Sequence, residues 1–231
     1  MEADVRIYLI HDHACTIAFD LPVGEEAYGK VMQLQRQVRQ KQQEGSMDAL
    51  LDMVPAYNSL TLYFSERVAL AEKINELKAL TDLPPDHAND TNTTTCIVIP
   101  VCYELPFAID MPALSATLCC SAEEIVTRHS QKKYQVFMNG FTPGFAYMGM
   151  LDPTLQVPRK KLPTTHVPAG SVAIAANQTG IYPFDGPGGW HIIGRTPLKM
   201  FDKTRVPACL LTPGHAVTFK PITLHEFEHW S

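Results

Sequence analysis

The sequence lacks the features that mark several common classes of protein. Its 19 lysine and arginine residues are outnumbered by 24 aspartate and glutamate residues, so the formal net charge is -5 at pH 7. This balance opposes binding to phosphate backbones, and we expect no nucleic-acid partner. The sequence shows neither a basic, apolar leader nor an apolar run long enough to cross a membrane. We therefore expect a cytoplasmic protein with no membrane partner.

Cysteine is scarce as well, with six residues and no CxxC pair. Cytoplasmic thiols stay reduced, so we expect free cysteines and not a disulfide framework. The pair His11 and His13 and the segment HEFEH, 225–229, resemble metal-binding patterns. Neither has a third ligand in its sequence context, so we predict no metal. A GxxxxGK[ST] loop and an ordered Ser-His-Asp set are also missing. These absences argue against an enzyme that is active alone.

What is present falls into two regions of different character. Residues 1–83 alternate pairs of β-branched, apolar runs with segments of helical spacing, in the order β, β, α, β, β, α. This order is typical of a small α+β domain, one sheet with two helices. Pro, Asn, Asp and Thr displace apolar residues at 84–95, which predicts a linker. Short apolar runs between Pro and Gly turns at 96–231 predict a mainly-β barrel domain.

Several elements of the second region can be placed individually. Residues 112–120 and 121–129 have the spacing of two short helices, and Ser121 with Glu124 forms a capping box at the start of the second. The runs at 198–201 and 208–211 are predicted to be short strands between prolines and glycines.

Residues 139–197 contain a large share of the glycine and proline of the chain. Loops stiffened by these residues present side chains from a rigid scaffold, and binding groups concentrate there. Four blocks follow one another, GFTPGFAYMGMLDP, PR, VPAGSVAIAANQTGIYP and PGGWHIIGRTP, and VPAYNSL stands in the first region. Together they resemble the allophanate hydrolase subunit 1, or KipI, family. The segment CYELPFAIDMPAL, 102–114, departs from the family because it lacks the usual glycines.

The resemblance implies an α+β N-terminal domain followed by a cyclophilin-like β-barrel domain. It also implies a subunit of an ATP-dependent 5-oxoprolinase, which opens 5-oxo-L-proline to L-glutamate. The implied partners are a homologous cyclophilin-like subunit of the PxpC type and a subunit of the PxpA type, with ATP used by the complex. Two alternatives stay open: a KipI-like inhibitor of a sensor histidine kinase, and an amide-acting subunit related to allophanate hydrolase or urea carboxylase.

Amide chemistry suggests roles for two residues. An unactivated amide resists attack at neutral pH, so a site must supply ionic anchors and proton transfer. Arg195 is the candidate anion clamp, because guanidinium pairs with carboxylate or phosphate through two hydrogen bonds. A structural arginine that bonds loop carbonyls is the alternative. His129 is the candidate general base, with a structural histidine at a helix end as its alternative.

Nine further residues are predicted to bind substrate. Amide and hydroxyl groups can orient an amide, glycines let backbone N–H groups approach an oxyanion, and aromatic rings form an apolar wall. Each also has a plain structural alternative in a strand, a tight turn or the core. The nine are Gln178, Tyr182, Ser171, Thr179, Gly188, Gly189, Trp190, Phe141 and Phe145.

Overall fold

The computed structural model describes residues 4–65, 70–81 and 95–230. Its chain divides into two compact units, Met1–Thr93 and Thr94–Ser231. The predicted linker, 84–95, lies outside the described residues except for Thr95. None of the described helices has the length and apolarity that a membrane span requires.

The first unit is a four-stranded antiparallel sheet with two helices. The strands lie in the order β1, β2, β4, β3. The elements are β1 (Val5–His11), β2 (Ala14–Phe19), α1 (Glu25–Gln43), β3 (Leu50–Pro55), β4 (Ser59–Phe64) and α2 (Leu70–Thr81).

Helix α1 covers this sheet with one apolar face. Val31, Leu34 and Val38 recur at helical spacing and are almost fully buried. They belong to the same core as Ile17 of β2 and Leu60 of β4. The predicted α+β domain is therefore confirmed.

The second unit is built on a closed barrel of seven strands. Their order around the barrel is β10, β7, β6, β13, β5, β12, β9, and β8 pairs with β11 in a separate two-stranded sheet. The pair β5 and β13 is parallel, and the other pairs are antiparallel. The strands are β5 (Cys96–Cys102), β6 (Lys133–Asn139), β7 (Ala146–Gly149), β8 (Thr164–Val167), β9 (Ser171–Ala175), β10 (Gln178–Ile181), β11 (Gly186–Gly188), β12 (His191–Arg195) and β13 (Ala216–Ile222).

Three helices accompany the barrel: α3 (Met111–Leu118), α4 (Ala122–Ser130) and α5 (Leu224–Glu228). Helix α4 packs on β13 and helix α3 packs on β12. The capping box is confirmed: the Glu124 backbone N–H donates to Ser121 Oγ at 3.2 Å, and the Ser121 N–H donates to Glu124 Oε2 at 2.8 Å. The predicted β-barrel is confirmed as well.

The strands predicted at 198–201 and 208–211 are wrong. These runs form only an isolated bridge between Phe201 and Cys209. The Arg205 side chain donates to four backbone carbonyl oxygens between residues 199 and 208, at 2.9 to 3.3 Å. The Met200 and Ala208 carbonyls also accept the backbone N–H groups of Leu210 and Asp202, each at 2.8 Å, and these two bonds make the bridge. The ladder does not continue toward the turn, because Pro207 has no N–H to offer.

Candidate functional site

A cavity of about 240 Å³, which we call the aromatic cavity, opens in the second unit. Six of the nine predicted substrate-binding residues line it, although they come from separate loops. Its described lining consists of Phe141, Phe145, Tyr147, Arg159, Pro163, Tyr182, Pro187, Gly188, Gly189 and Trp190.

Phe145 is at the centre of the aromatic rings. Its ring centroid lies 4.8 Å from that of Tyr147, 5.2 Å from that of Tyr182 and 5.5 Å from that of Trp190, with steep interplanar angles in each case. Edge-to-face contacts of this kind stabilise ring pairs beyond the burial of their area. Phe145, Tyr182 and Trp190 are nearly fully buried, so the wall of the cavity is a rigid packed cluster.

Gly188 lies close against the ring of Tyr182 and leaves no room for a side chain. A Cβ atom on Gly188 would lie 2.6 Å from Cζ of Tyr182, whereas one on Gly189 would meet nothing within 4 Å. Burial raises the pKa of Tyr182, so its phenol stays protonated at neutral pH and can donate a hydrogen bond. The cavity wall thus includes a phenol that can donate a hydrogen bond.

Phe141 projects from a tight loop at the mouth of the cavity. Its φ is 64° and its side chain is 67% exposed. The loop is closed by the Thr142 N–H, which donates to the Gly140 carbonyl at 2.7 Å, and by the Phe145 N–H, which donates to the Thr142 carbonyl at 3.0 Å. A left-handed conformation is costly for an aromatic residue, and such strain is concentrated at functional sites.

Arg159 lines the cavity but is missing from the sequence-based site. Its Cζ atom lies 5.9 Å from the centroid of the Trp190 ring. Burial raises the pKa of Tyr147 and of Tyr182, and the positive charge of Arg159 opposes that rise in both. Sequence reasoning overlooks Arg159 because it stands in PRKK, a charged run typical of a solvated loop.

Arg195 lies in a second groove of about 350 Å³. Its Nε donates to the Ala169 carbonyl at 2.8 Å, and its Cζ lies 5.6 Å and 5.9 Å from the ring centroids of Phe107 and Phe227. Phe107 belongs to the segment 102–114 that departs from the family. The described lining of this second groove is Ala169, Gly170, Pro183, Arg195, Thr196, Pro197, Leu198, Lys199, Met200 and Phe227.

The two arginines of this region are held differently. Arg205 uses its guanidinium nitrogens on four backbone carbonyls. Among the described residues, Arg195 uses only Nε in this way, so its two terminal nitrogens stay available. The second groove and the aromatic cavity have no described lining residue in common. The structure therefore separates the predicted clamp from the predicted apolar wall.

His129 is completely buried in the core of the second unit. The Thr179 hydroxyl donates to the Ala173 carbonyl at 3.1 Å, so it accepts the Nε2–H of His129 at 2.9 Å. Nδ1 then accepts the Tyr103 hydroxyl hydrogen at 2.8 Å. Burial lowers the pKa of His129 to about 3, which keeps the ring neutral. Both ring nitrogens are occupied by protein groups, and this placement favours the structural alternative.

The remaining predicted residues lie away from both cavities' described linings. Thr179 is buried with His129. Ser171 is buried at the start of β9, opposite Arg195 of β12. Gln178 begins β10 between β7 and β9. These three residues lie in strands of the barrel, and none of them is part of the described lining of the aromatic cavity.

No group of three or more His, Cys, Asp or Glu is placed to hold a metal ion within the described ranges. His225 and His229 of the HEFEH segment stack at the end of the chain with ring centroids 4.3 Å apart.

Comparison with known proteins places this architecture in a family. Residues 5–211 match the carboxyltransferase domain family, subdomain C and D. The chain belongs to this carboxyltransferase family. It is 31% identical to the B subunit of 5-oxoprolinase from Bacillus subtilis (strain 168), over 98% of this chain and 97% of that protein. It is 36% identical to the B subunit of 5-oxoprolinase from Haemophilus influenzae, over 93% of this chain and 97% of that protein.

Three solved structures have a fold similar to that of this chain. TTHA0988 is 33% identical with a TM-score of 0.75, over 95% of this chain but 40% of its own. PH0987 of Pyrococcus horikoshii is 35% identical with a TM-score of 0.57, over 96% of this chain and 100% of its own. The urea amidolyase of Kluyveromyces lactis shares the fold alone, at 16% identity and a TM-score of 0.73, over 99% of this chain and 15% of its own.

Proposed function

We propose that the chain is the B-type component of a cytoplasmic, ATP-dependent 5-oxoprolinase. The observation that carries the proposal is its near end-to-end relationship to the B subunits of three 5-oxoprolinases, at 31 to 36% identity. In the reaction, the ring amide C–N bond breaks and one water is added, which yields glutamate. Hydrolysis of ATP to ADP and phosphate supplies the free energy.

The site geometry supports a shared rather than a complete active site. The aromatic cavity offers packed rings, the phenol groups of two tyrosines and one guanidinium, which suit binding of a small ring. The candidate clamp Arg195 lies in a different groove. In TTHA0988 the related segment is 40% of a longer chain, so a relative of this chain works next to further protein. We therefore propose partner subunits of the PxpC and PxpA types.

The test is reconstitution of the complex. The chain is co-expressed with its PxpC-type and PxpA-type partners, and release of ADP is measured with and without 5-oxo-L-proline. We expect release that depends on 5-oxoproline and disappears when this chain is omitted. If the full set of partners assembles but shows no 5-oxoproline-dependent turnover, the enzymatic proposal is wrong. That result would favour the alternative of a KipI-like inhibitor of a sensor histidine kinase.

Replacement of Arg195 tests the clamp within the same assay. Its two terminal guanidinium nitrogens have no hydrogen-bond partner among the described residues, so they can pair with a carboxylate or phosphate. Arg195→Ala should lower turnover by about 100-fold, as loss of one electrostatic donor to a reacting group typically does. Arg195→Lys keeps the positive charge but lacks the guanidinium that forms two parallel hydrogen bonds, so it should recover only part of the activity. Normal turnover of Arg195→Ala in an intact complex would remove Arg195 from the site.

A further inference from the structure

We propose that the aromatic cavity binds a small cyclic carboxylate, with its ring against Phe145 and Trp190 and its carboxylate paired with Arg159. The lining of the cavity by itself favours a ligand that has an apolar ring and one negative charge. The choice of a ring amide as the natural ligand rests on the proposed function.

The charge of the cavity favours an anionic ligand. Arg159 is the one charged side chain among its described lining residues. Within residues 4–65, 70–81 and 95–230, no carboxylate pairs with Arg159 and no hydrogen bond holds its guanidinium. The Arg159 guanidinium, at the mouth of an apolar cavity, can form two parallel hydrogen bonds with one carboxylate of a ligand. A phosphate would ordinarily call for more donors than this one side chain.

The backbone on both sides of Arg159 is held in place, although the side chain itself is exposed. The Lys160 N–H donates to the Gly189 carbonyl at 2.8 Å. The His191 Nε2–H donates to the Pro158 carbonyl at 3.0 Å. These bonds tie the segment of Arg159 to the two residues on either side of Trp190. The guanidinium is therefore presented by a fixed backbone, which reduces the entropy lost when a ligand binds.

An ion pair reinforces the same attachment. Lys160 Nζ lies 2.7 Å from Asp110 Oδ2 and donates to Thr164 Oγ1 at 2.6 Å. Asp110 Oδ2 also accepts the Ile192 N–H at 2.7 Å. Asp110 stands at the start of α3 but makes no capping bond with its side chain, because its carboxylate is used here. Lys160 is thus committed to the scaffold, whereas its neighbour Arg159 is left for a ligand.

The rings supply the second half of the site. The rings of Phe145, Tyr147 and Trp190 pack edge-to-face against one another and line the cavity, so they form an apolar wall against which a flat ring can lie. The protonated phenol of Tyr182 can donate to a ring carbonyl. A ligand with a carboxylate at one end and an amide carbonyl at the other could pair with both Arg159 and Tyr182.

The experiment is calorimetric titration of the full chain with three related probes. These are 5-oxo-L-proline, its uncharged primary amide 5-oxo-L-prolinamide, and 2-pyrrolidinone, which lacks the substituent. We expect the carboxylate to bind tightest. Arg159→Ala should weaken 5-oxoproline about tenfold or more, the effect of losing one charge-assisted pair, and should leave the two uncharged probes unchanged.

Lys161→Ala is the matched control, because it removes the same charge from an adjacent exposed residue outside the described lining. It should leave binding of all three probes unchanged. The exposed position of Arg159 also means that Arg159→Ala should keep the wild-type unfolding midpoint. Equal affinity for the carboxylate and its amide, equal losses in the Arg159 and Lys161 variants, or no binding of any probe would each overturn the inference.

The same variants separate this inference from the proposed function. If the reconstituted complex turns over 5-oxoproline and Arg159→Ala leaves its KM unchanged, the inference fails and the function stands. If the complex does not use 5-oxoproline but the chain binds cyclic carboxylates through Arg159, the function fails and the inference stands.

Discussion

Acid should destabilise the second unit through His129, although this residue is far from any surface. Burial lowers its pKa from 6.5 to about 3 in the folded protein. The unfolded chain exposes the ring and regains the ordinary value of about 6.5. The folded state therefore binds fewer protons than the unfolded state between these two values. Because the folded pKa is depressed, the stabilising contribution is complete above the unfolded pKa and is lost as pH falls.

The size of the effect follows from these two values. At about pH 5 the unfolded state is mostly protonated at this site and the folded state is not, which lowers the free energy of unfolding by about 2 kcal/mol. The hydrogen bonds from Tyr103 and to Thr179 use the neutral ring, so a proton on Nδ1 would break the first of them. A loss of this size is a substantial part of the stability of an ordinary domain, about 5–15 kcal/mol.

Urea unfolding followed by tryptophan fluorescence measures this loss, because both tryptophans, Trp190 and Trp230, belong to the second unit. His129→Gln removes the titrating ring and should be less stable at about pH 7.5, yet its stability should fall by about 2 kcal/mol less than that of the wild type on going to about pH 5. His166→Gln, at an exposed position, should follow the wild type. If His129→Gln has the same pH dependence as the wild type, the burial argument is refuted.

Two further predictions concern the packing and the attachment of the aromatic cavity. Gly188→Ala should cost about 1–3 kcal/mol of unfolding free energy, because its Cβ would overlap the buried Tyr182 ring, whereas Gly189→Ala should stay within about 0.5 kcal/mol; equal urea midpoints would contradict this. Asp110→Ala should cost about 1.5–3 kcal/mol, since it breaks a partly buried charged pair, whereas Asp20→Ala, at an exposed pair, should cost under about 1 kcal/mol; similar losses in thermal or urea unfolding would argue against it.

Local features of the sequence predicted most of the elements. Helix α1 has apolar residues at helical spacing and Glu25 and Glu26 in its first turn, so its place in the predicted order is recorded in the local sequence. The pair Ser121 and Glu124 placed the start of α4, because a capping box is satisfied by residues three positions apart. Such signals need only neighbouring residues, which explains why the α+β domain and the barrel could be predicted.

The runs 198–201 and 208–211 failed for the opposite reason. Their apolar pattern is that of strands, but pairing depends on which residues stand opposite each other, and here it stops at one bridge because Pro207 has no N–H to donate. His129 also has partners that are distant in sequence, 26 and 50 residues away at Tyr103 and Thr179. Its neighbours in the chain suggested a titrating residue at a helix end, whereas the barrel made it a buried, neutral one.

The sequence by itself indicated two regions of different character, the family and the ring-rich segment that forms the cavity wall, because composition, spacing and ordered motifs are local properties. The tertiary structure alone decided which charged group meets those rings. It brought Arg159 to Trp190 and placed Arg195 in a different groove. The physical reason is that barrel closure and the pairing of Asp110 with Lys160 join segments that are distant in sequence, and no local pattern records which of them meet.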